Sequence, residues 1–473
     1  MDLYGEGLPG ILSETNDAWY YKSNYGGGNF GPQRKVREKP LEAVGSYALS
    51  DFDSDGNPNL VIMQGRQTGY CEYDRDNDSW QGFTAFASSP ILDTTSSPQW
   101  LDLNGNGQAD IVISKQDRFT WYPSKGKEGF GEAVEFAKPQ SNGIGQVQQI
   151  AEDQELDYFF ANMSGNGSID QVRIENGRVE YWPQIGYGRF GDGILMENAP
   201  VFDFDKEFDP GRIRFVDIDG SGTADILYIG RGEIRYWINA SGNKFIQGGK
   251  LTGLPYVDTL SSVQVMDFLG DGTPCLVWSS ANLNQAGDPI QYLKLTNGVQ
   301  PRLLTKADNS MGKVIELTYA SSSSHYLRDI KNGRDWTSKL PNHVTVVDKK
   351  EVIDEIGPSK FVSRYEYHDG FFDSEEKEFR GFGLVDQYDS EVYNINSTIS
   401  QVYYTAPACT RTWFHNGTFA WEERRVEHYY QGDAQHENEI LPMPSYEILL
   451  DLKGKSFSDG FRALAGQVTR QEV

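Results

Sequence analysis

The chain has 473 residues and carries 68 acidic against 43 basic side chains, a formal charge of −25. It is too long for one small core, and a field of that sign repels phosphate backbones and anionic lipid, which makes nucleic acid and bare membrane poor partners. Aromatic residues at 13% and 50 glycines suit many short strands joined by tight turns, an all-β fold.

Six segments repeat along the first 300 residues: DLYGEGLPGIL from Asp2, DFDSDGNPNLV from Asp51, DLNGNGQADIV from Asp102, NMSGNGSIDQV from Asn162, DIDGSGTADIL from Asp217 and DFLGDGTPCLV from Asp267. Their starts lie 49, 51, 60, 55 and 50 residues apart, enough for a four-stranded blade with its connections. An aromatic strand follows each one, as in AWYYK from Ala18, FTWYP from Phe119, VEYWP from Val179 and IRYWI from Ile234. Such a sheet cannot bury both faces alone, so six repeats are expected to stack radially as a six-bladed β-propeller over 1–300. Met1 stands directly before the first acidic turn, so the first blade is expected to lack a strand, supplied by the far side of the ring or lost from a larger protein. In the pairs Trp121 with Tyr122, Tyr181 with Trp182 and Tyr236 with Trp237, neighbours point to opposite faces, which favours packing between blades over sugar stacking.

Each acidic turn places oxygen-bearing side chains at positions 1, 3, 5 and 9 and glycine at 6, the opening of a calcium-wrapping loop. Candidate ligands are Asp51, Asp53, Asp55 and Asn59 in the second copy, Asp102, Asn104, Asn106 and Asp110 in the third, and Asp217, Asp219, Ser221 and Asp225 in the fifth. The fourth, Asn162, Ser164, Asn166 and Asp170, has a single carboxylate and is left aside; the first and last copies are degraded. The alternative is an ion-free Asx-type turn whose side chains satisfy backbone N–H groups.

Beyond about Leu303 the acidic repeat gives way to period-two strands, VIELTYA from Val314, HVTVVDKKEVID from His343 and KFVSRYEYHDGFFDSEEKEF from Lys360, so 301–473 is expected to be further antiparallel sheet. EYHDGFF reads as a hairpin around its DG turn, and FRGFG from Phe379 as a place of close backbone approach. A strand pair is expected around Ser400 to Trp421 and a short helix near Ser445 to Leu452, while SDGFRALAGQVTRQEV lacks an obvious sheet partner. The last segment reads as incomplete.

Three stretches, the acidic repeats with DLYGEGLPGILSETNDAWYYK, the junction NSMGKVIELTYASSSSHYLRDIKNGRDWTSKLP, and RYEYHDGFFDSEEKEFRGFGLVDQYDSE, resemble the B component of bacterial insecticidal toxin complexes (Tc toxins) and the related SpvB-type virulence proteins. The resemblance covers essentially the whole chain and maps it to the middle of a much larger subunit. It implies a secreted or extracellular protein whose FG-GAP/VCBS-like propeller docks the pore-forming A-type subunit and gates cargo passage. The strands after the propeller would begin a β-shell that the C-type (Rhs-repeat) subunit completes around a cytotoxic cargo. No signal peptide is visible.

No enzyme is expected. The six histidines form no HExxH or HxH spacing, Ser321 to Ser324 lacks a GxSxG elbow and reads as loop, and no phosphate-cradling glycine motif occurs. Cys71, Cys275 and Cys409 show neither a disulfide framework nor zinc spacing. The second reading is a calcium-dependent FG-GAP adhesion or lectin-like module.

Overall fold

The computed structural model describes the chain apart from residues 1, 4–6, 16–17, 38–39, 41–46, 53–57, 65–66, 75–76, 78, 91, 93–97, 107, 116–117, 138–157, 187, 205, 256, 258–260, 281–289, 297, 299, 335, 337–339, 358, 374–377, 394–406 and 418–454. It divides into two compact units, one holding nearly everything up to Leu303 and the other Leu304–Val473.

The first unit is a six-bladed propeller of antiparallel sheets. Blade 1 has Ile11–Glu14, Trp19–Lys22 and Arg34–Lys35; blade 2 has Tyr47–Ser50, Asn59–Gln64 and Gln67–Asp74, with Ser79–Trp80 and Thr84–Ala85 both paired to the last. Blade 3 is Pro98–Leu101, Asp110–Ser114, Arg118–Tyr122 and Val134–Ala137, and blade 4 is Tyr158–Ala161, Asp170–Glu175, Arg178–Trp182 and Ile194–Leu195. Blade 5 is Ile213–Val216, Asp225–Ile229, Glu233–Ala240 and Lys244–Thr252, and blade 6 is Ser261–Met266, Cys275–Ser280 and Ile290–Lys294. In blades 2 to 6 the acidic turn links the first two strands and its ninth residue opens the second, whereas in blade 1 the turn precedes the first described strand, Ile11–Glu14.

Period-two alternation turns each central strand into a wall between two cores. In Asp225–Ile229, Ile226 and Tyr228 enter the core shared with blade 4, whereas Leu227 and Ile229 enter the core shared with blade 6. The aromatic pairs divide as expected: Trp121 packs toward blade 4 and Tyr122 toward blade 2, and Tyr236 faces blade 6 while Trp237 faces blade 4. The circle closes between blades 6 and 1, where Phe30 packs 5.2 Å from Phe268, the Asn24 amide donates to the Phe268 carbonyl at 2.8 Å, and the Gly27 N–H donates to Leu269 O at 2.8 Å. Among the described residues no strand from the end of the ring joins blade 1, which has three strands, as does blade 6. Closure is by packing and these hydrogen bonds.

The second unit is a seven-stranded antiparallel meander: Lys306–Asp308, Lys313–Ser321, Thr345–Asp354, Ser359–Asp373, Glu378–Tyr393, Ala408–Phe414 and Val468–Glu472. Four sequence expectations are corrected here. The DG of EYHDGFF does not turn: Ser359–Asp373 runs through it, with Asp369 at φ 52° and a bulge between Gly370 and Phe372, because a bulge needs the same positive φ as a tight turn. Gly381 of FRGFG meets no atom within 4 Å of a built Cβ, and its φ of 92°, not a close approach, is what requires glycine. Ser321 to Ser324 is not loop, for the Ser321 hydroxyl caps the helix Ser322–Lys331 by accepting the Ser323 N–H. Val468–Glu472 does have a partner, pairing along Ala408–Phe414 after a helix Lys455–Arg462. Of the strand pair expected at Ser400 to Trp421, Ala408–Phe414 is present; 400–406 and 418–421 lie outside the described residues, as does the helix expected at Ser445 to Leu452. No described helix is long and apolar enough to cross a membrane.

Candidate functional site

The acidic turns carry most of the charged chemistry singled out in the sequence. In the third copy, Asp102 Oδ1 accepts the N–H groups of Gly105 at 2.8 Å and Asn106 at 3.0 Å, Asn104 Oδ1 accepts Asn106 N–H at 2.9 Å, and Asn106 Oδ1 accepts Gln108 N–H at 2.9 Å. These are nested Asx turns. Asp110, at position 9, is fully buried: Oδ2 accepts Leu103 N–H at 3.0 Å and the Trp121 indole N–H at 2.8 Å, and Oδ1 accepts Ser124 N–H at 2.7 Å. Burial raises its pKa, and the bonds from Ser124, Trp121 and Leu103 oppose that rise.

The same strap recurs. Asp170 ties Met163 and Ser164 N–H to Gln184 N–H, and Asp225 ties Ile218 N–H at 2.8 Å to Asn239 N–H at 2.7 Å. In the second copy Asn59 Oδ1 accepts Phe52 N–H at 2.7 Å; Asp51 is half-buried, and Asp53 and Asp55 lie outside the described residues.

The fifth turn differs in charge. Asp217 accepts Ser221 and Gly222 N–H, Asp219 Oδ1 accepts Ser221 N–H at 3.1 Å, and the Ser221 hydroxyl bonds Thr223 Oγ1 at 2.8 Å. Asp217, Asp219 and Asp225 each bring one oxygen within 4.8 Å of the others. The Arg302 guanidinium reaches back to this turn, donating from Nε to Asp219 O at 3.0 Å and from Nη2 to the Asp219 carboxylate. Burial pushes Asp219 upward, but the Ser221 and Arg302 bonds hold it below the usual carboxylate range.

Asp225 is pushed up to about 6 by burial, with Asp219 and Asp217 adding repulsion against the bonds from Asn239 and Ile218. A folded value above the ordinary 3.8 means the native state holds this proton more tightly. That contribution to stability is complete below pH 3.8 and is lost as pH rises through about 6. Urea unfolding of wild type against Asp225→Asn, from about pH 4 to about pH 7, is expected to show a declining difference on the order of 2–3 kcal/mol. Parallel pH profiles would refute the assignment.

Sequence reasoning missed Arg302 and the residues that complete each strap. Ser124, Gln184 and Asn239 each lie 14 positions beyond their aspartate, a constant offset that was open to inspection. Two of them also stitch blades: the Gln184 side chain donates to Leu103 O of blade 3, and Asn239 Nδ2 donates to Met163 O of blade 4 at 2.9 Å. Asn24 makes the equivalent bond at the ring closure.

Residues 239–417 match the family model described as the insecticide toxin TcdB middle/N-terminal region. Among solved structures, the whole chain matches a Photorhabdus luminescens Tc holotoxin pore with 27% identity and a TM-score of 0.80, covering 22% of that chain. It also matches TcdB2–TccC3 without the hypervariable C-terminal region at 25% identity and a TM-score of 0.68, again over 22% of the longer chain, and TcdB2–TccC3 at 25% and 0.67 over 23%. The chain thus spans about a fifth of the length of the structures it matches. No curated protein matches it significantly. The resemblance to Tc toxins read from the sequence holds on both counts; neither bears on the SpvB-type proteins.

Proposed function

We propose, for a chain that matches the TcdB middle region over residues 239–417 and Tc toxin structures over its whole length, a docking and structural role in a toxin complex. The propeller binds a pore-forming A-type subunit and gates passage of a cargo polypeptide. The seven-stranded sheet contributes to the shell that a C-type subunit completes, and the assembly acts outside the cell that makes it. The observation that carries this reading is the match of all 473 residues to the holotoxin pore at a TM-score of 0.80. Its chemistry is consistent: conserving a rigid ring by internal straps leaves a surface for a partner and needs no reaction centre.

The test is direct binding. Immobilised A-type pore subunit is expected to capture the chain saturably in biolayer interferometry. Lack of capture by several such subunits, with the ring shown folded by near-UV circular dichroism, would remove the docking role.

One observation favours a calcium-bound turn as a second property of the same ring, the convergence of Asp217, Asp219 and Asp225. Arg302 competes for that charge. Arg302→Ala is therefore expected to strengthen Ca²⁺ binding about fivefold in isothermal titration. Identical heats for the variant and the wild type would rule the turn out as a calcium site.

A further inference from the structure

The second unit contains a polar cluster that the docking role does not use. Glu366 and His368 are alternate residues of Ser359–Asp373 and so share a face; Asp386 lies directly across from Glu366 on Glu378–Tyr393, and Arg411 across from Asp386 on Ala408–Phe414. Glu366, His368 and Asp386 each bring one donor atom within 4.8 Å of the others.

His368 is 5% exposed, and its two nitrogens have different surroundings. Nδ1 lies 2.6 Å from Asp329 Oδ2, a carboxylate that also accepts the Trp336 indole N–H at 2.7 Å. That bond engages Nδ1 with a carboxylate, so Nε2 is the ring nitrogen left to face a ligand. Nε2 is buried, has no hydrogen-bond partner among the described residues, and stands 3.8 Å from Asp386 Oδ2. A buried ring nitrogen left empty is costly, so something of positive character belongs there.

Charge leads to the same place. Glu366, Asp386 and Asp329 are negative; Arg328 lies 3.1 Å from Glu366 and Arg411 grips Asp386 at 2.7 and 2.6 Å. Arg334, which also acts on Asp329, is paired with Asp369 at 3.0 Å, so three guanidinium groups face four carboxylates and one negative charge is in excess. Each carboxylate oxygen has two lone pairs, so the Arg411 fork leaves Asp386 with one to offer on each oxygen.

We propose that Glu366, His368 and Asp386 bind a divalent transition-metal ion, with Zn²⁺ the best suited. The set is one imidazole and two carboxylates, and the imidazole is oriented by a second-shell carboxylate, Asp329, as metal-ligating histidines are. The nitrogen donor selects against calcium and magnesium, which take oxygen. Donor atoms would draw in to about 3.3 Å from one another, as bonds of about 2.0–2.2 Å in a tetrahedron require, and water would fill the fourth position. The ion would fasten neighbouring strands of the meander. This inference rests on the cluster alone and stands apart from the toxin reading.

The test is titration of the chelator-treated, full 473-residue chain with Co²⁺, followed by displacement with Zn²⁺. One equivalent of Co²⁺ is expected to give a d–d absorption band that Zn²⁺ abolishes. His368→Gln is expected to weaken binding about a hundredfold, as loss of a first ligand should exceed the 10–100-fold typical of second-shell losses. Glu366→Gln, at a partly exposed position, is expected to weaken it as well, whereas Glu135→Gln on an exposed strand of the propeller leaves it unchanged. Absence of the band, or its survival in both His368→Gln and Glu366→Gln, would overturn the site. So would ¹⁵N-histidine spectra in which His368 Nε2 binds a proton with falling pH but does not respond to Zn²⁺, since a proton is the rival occupant.

Discussion

Asp110→Ala is expected to cost the propeller about 4 kcal/mol. Three buried donors, the N–H groups of Leu103 and Ser124 and the Trp121 indole, lose their acceptor at about 1–3 kcal/mol each. The total is reduced by the desolvation that the carboxylate itself no longer suffers. Asp110→Asn keeps one oxygen and is expected to lose about half as much. Urea unfolding followed by tryptophan fluorescence measures both, and an alanine variant within about 1 kcal/mol of wild type would mean that the strap is ornamental. The outcome bears on function because the strap sets the turn at one end of the blade, where neighbouring blades are stitched.

Phe202→Ala is expected to be equally severe for a different reason. Phe202 belongs to the connection between blades 4 and 5, yet it is fully buried, with the rings of Phe208, Tyr228 and Trp237 each centred 5.3 Å away. Its backbone is held too: Asn176 Oδ1 accepts its N–H at 2.7 Å, and its carbonyl accepts from Arg235. Truncation leaves a cavity in the core between two blades, costing about 4 kcal/mol, while Phe202→Leu costs about 1.5 kcal/mol. Limited proteolysis should cut the alanine variant first in this connection. Equal protease resistance in the two variants would show that the ring closes around the cavity.

The blades were legible because their signal is periodic. Six acidic turns, each followed by an aromatic strand, require the same supersecondary unit each time, and opposite-facing neighbours such as Tyr236 and Trp237 require a core on either side. The role of position 9 was less legible. Spacing within the turn shows which side chains carry oxygen, but besides the turn's own Leu103 and Ile218 N–H, Asp110 and Asp225 are claimed by Ser124 and Asn239, one strand further on. The DG of EYHDGFF misled because turn and bulge make the same demand on φ at Asp369, and only the long pairing of Ser359–Asp373 with Glu378–Tyr393 decides between them. The serine run misled because serine competes with helical backbone in most settings; here Ser321 spends its hydroxyl on the cap and Ser322 accepts the Val344 N–H at 2.9 Å. The cluster around His368 had no sequence signal, since Asp329, His368, Asp386 and Arg411 meet only through sheet register.

The seam between blades 6 and 1 has a mechanical consequence. Among the described residues its core holds Phe268, Leu269, Cys275 and Val277, whereas the joint between blades 4 and 5 buries a far larger group that includes Phe202, Tyr228 and Trp237. A hoop whose ends abut without interlocking opens where its fastening is lightest. Breathing of the circle is therefore expected sooner beside Asn24 and Gly27 than at the joint between blades 4 and 5, an order that hydrogen exchange would read.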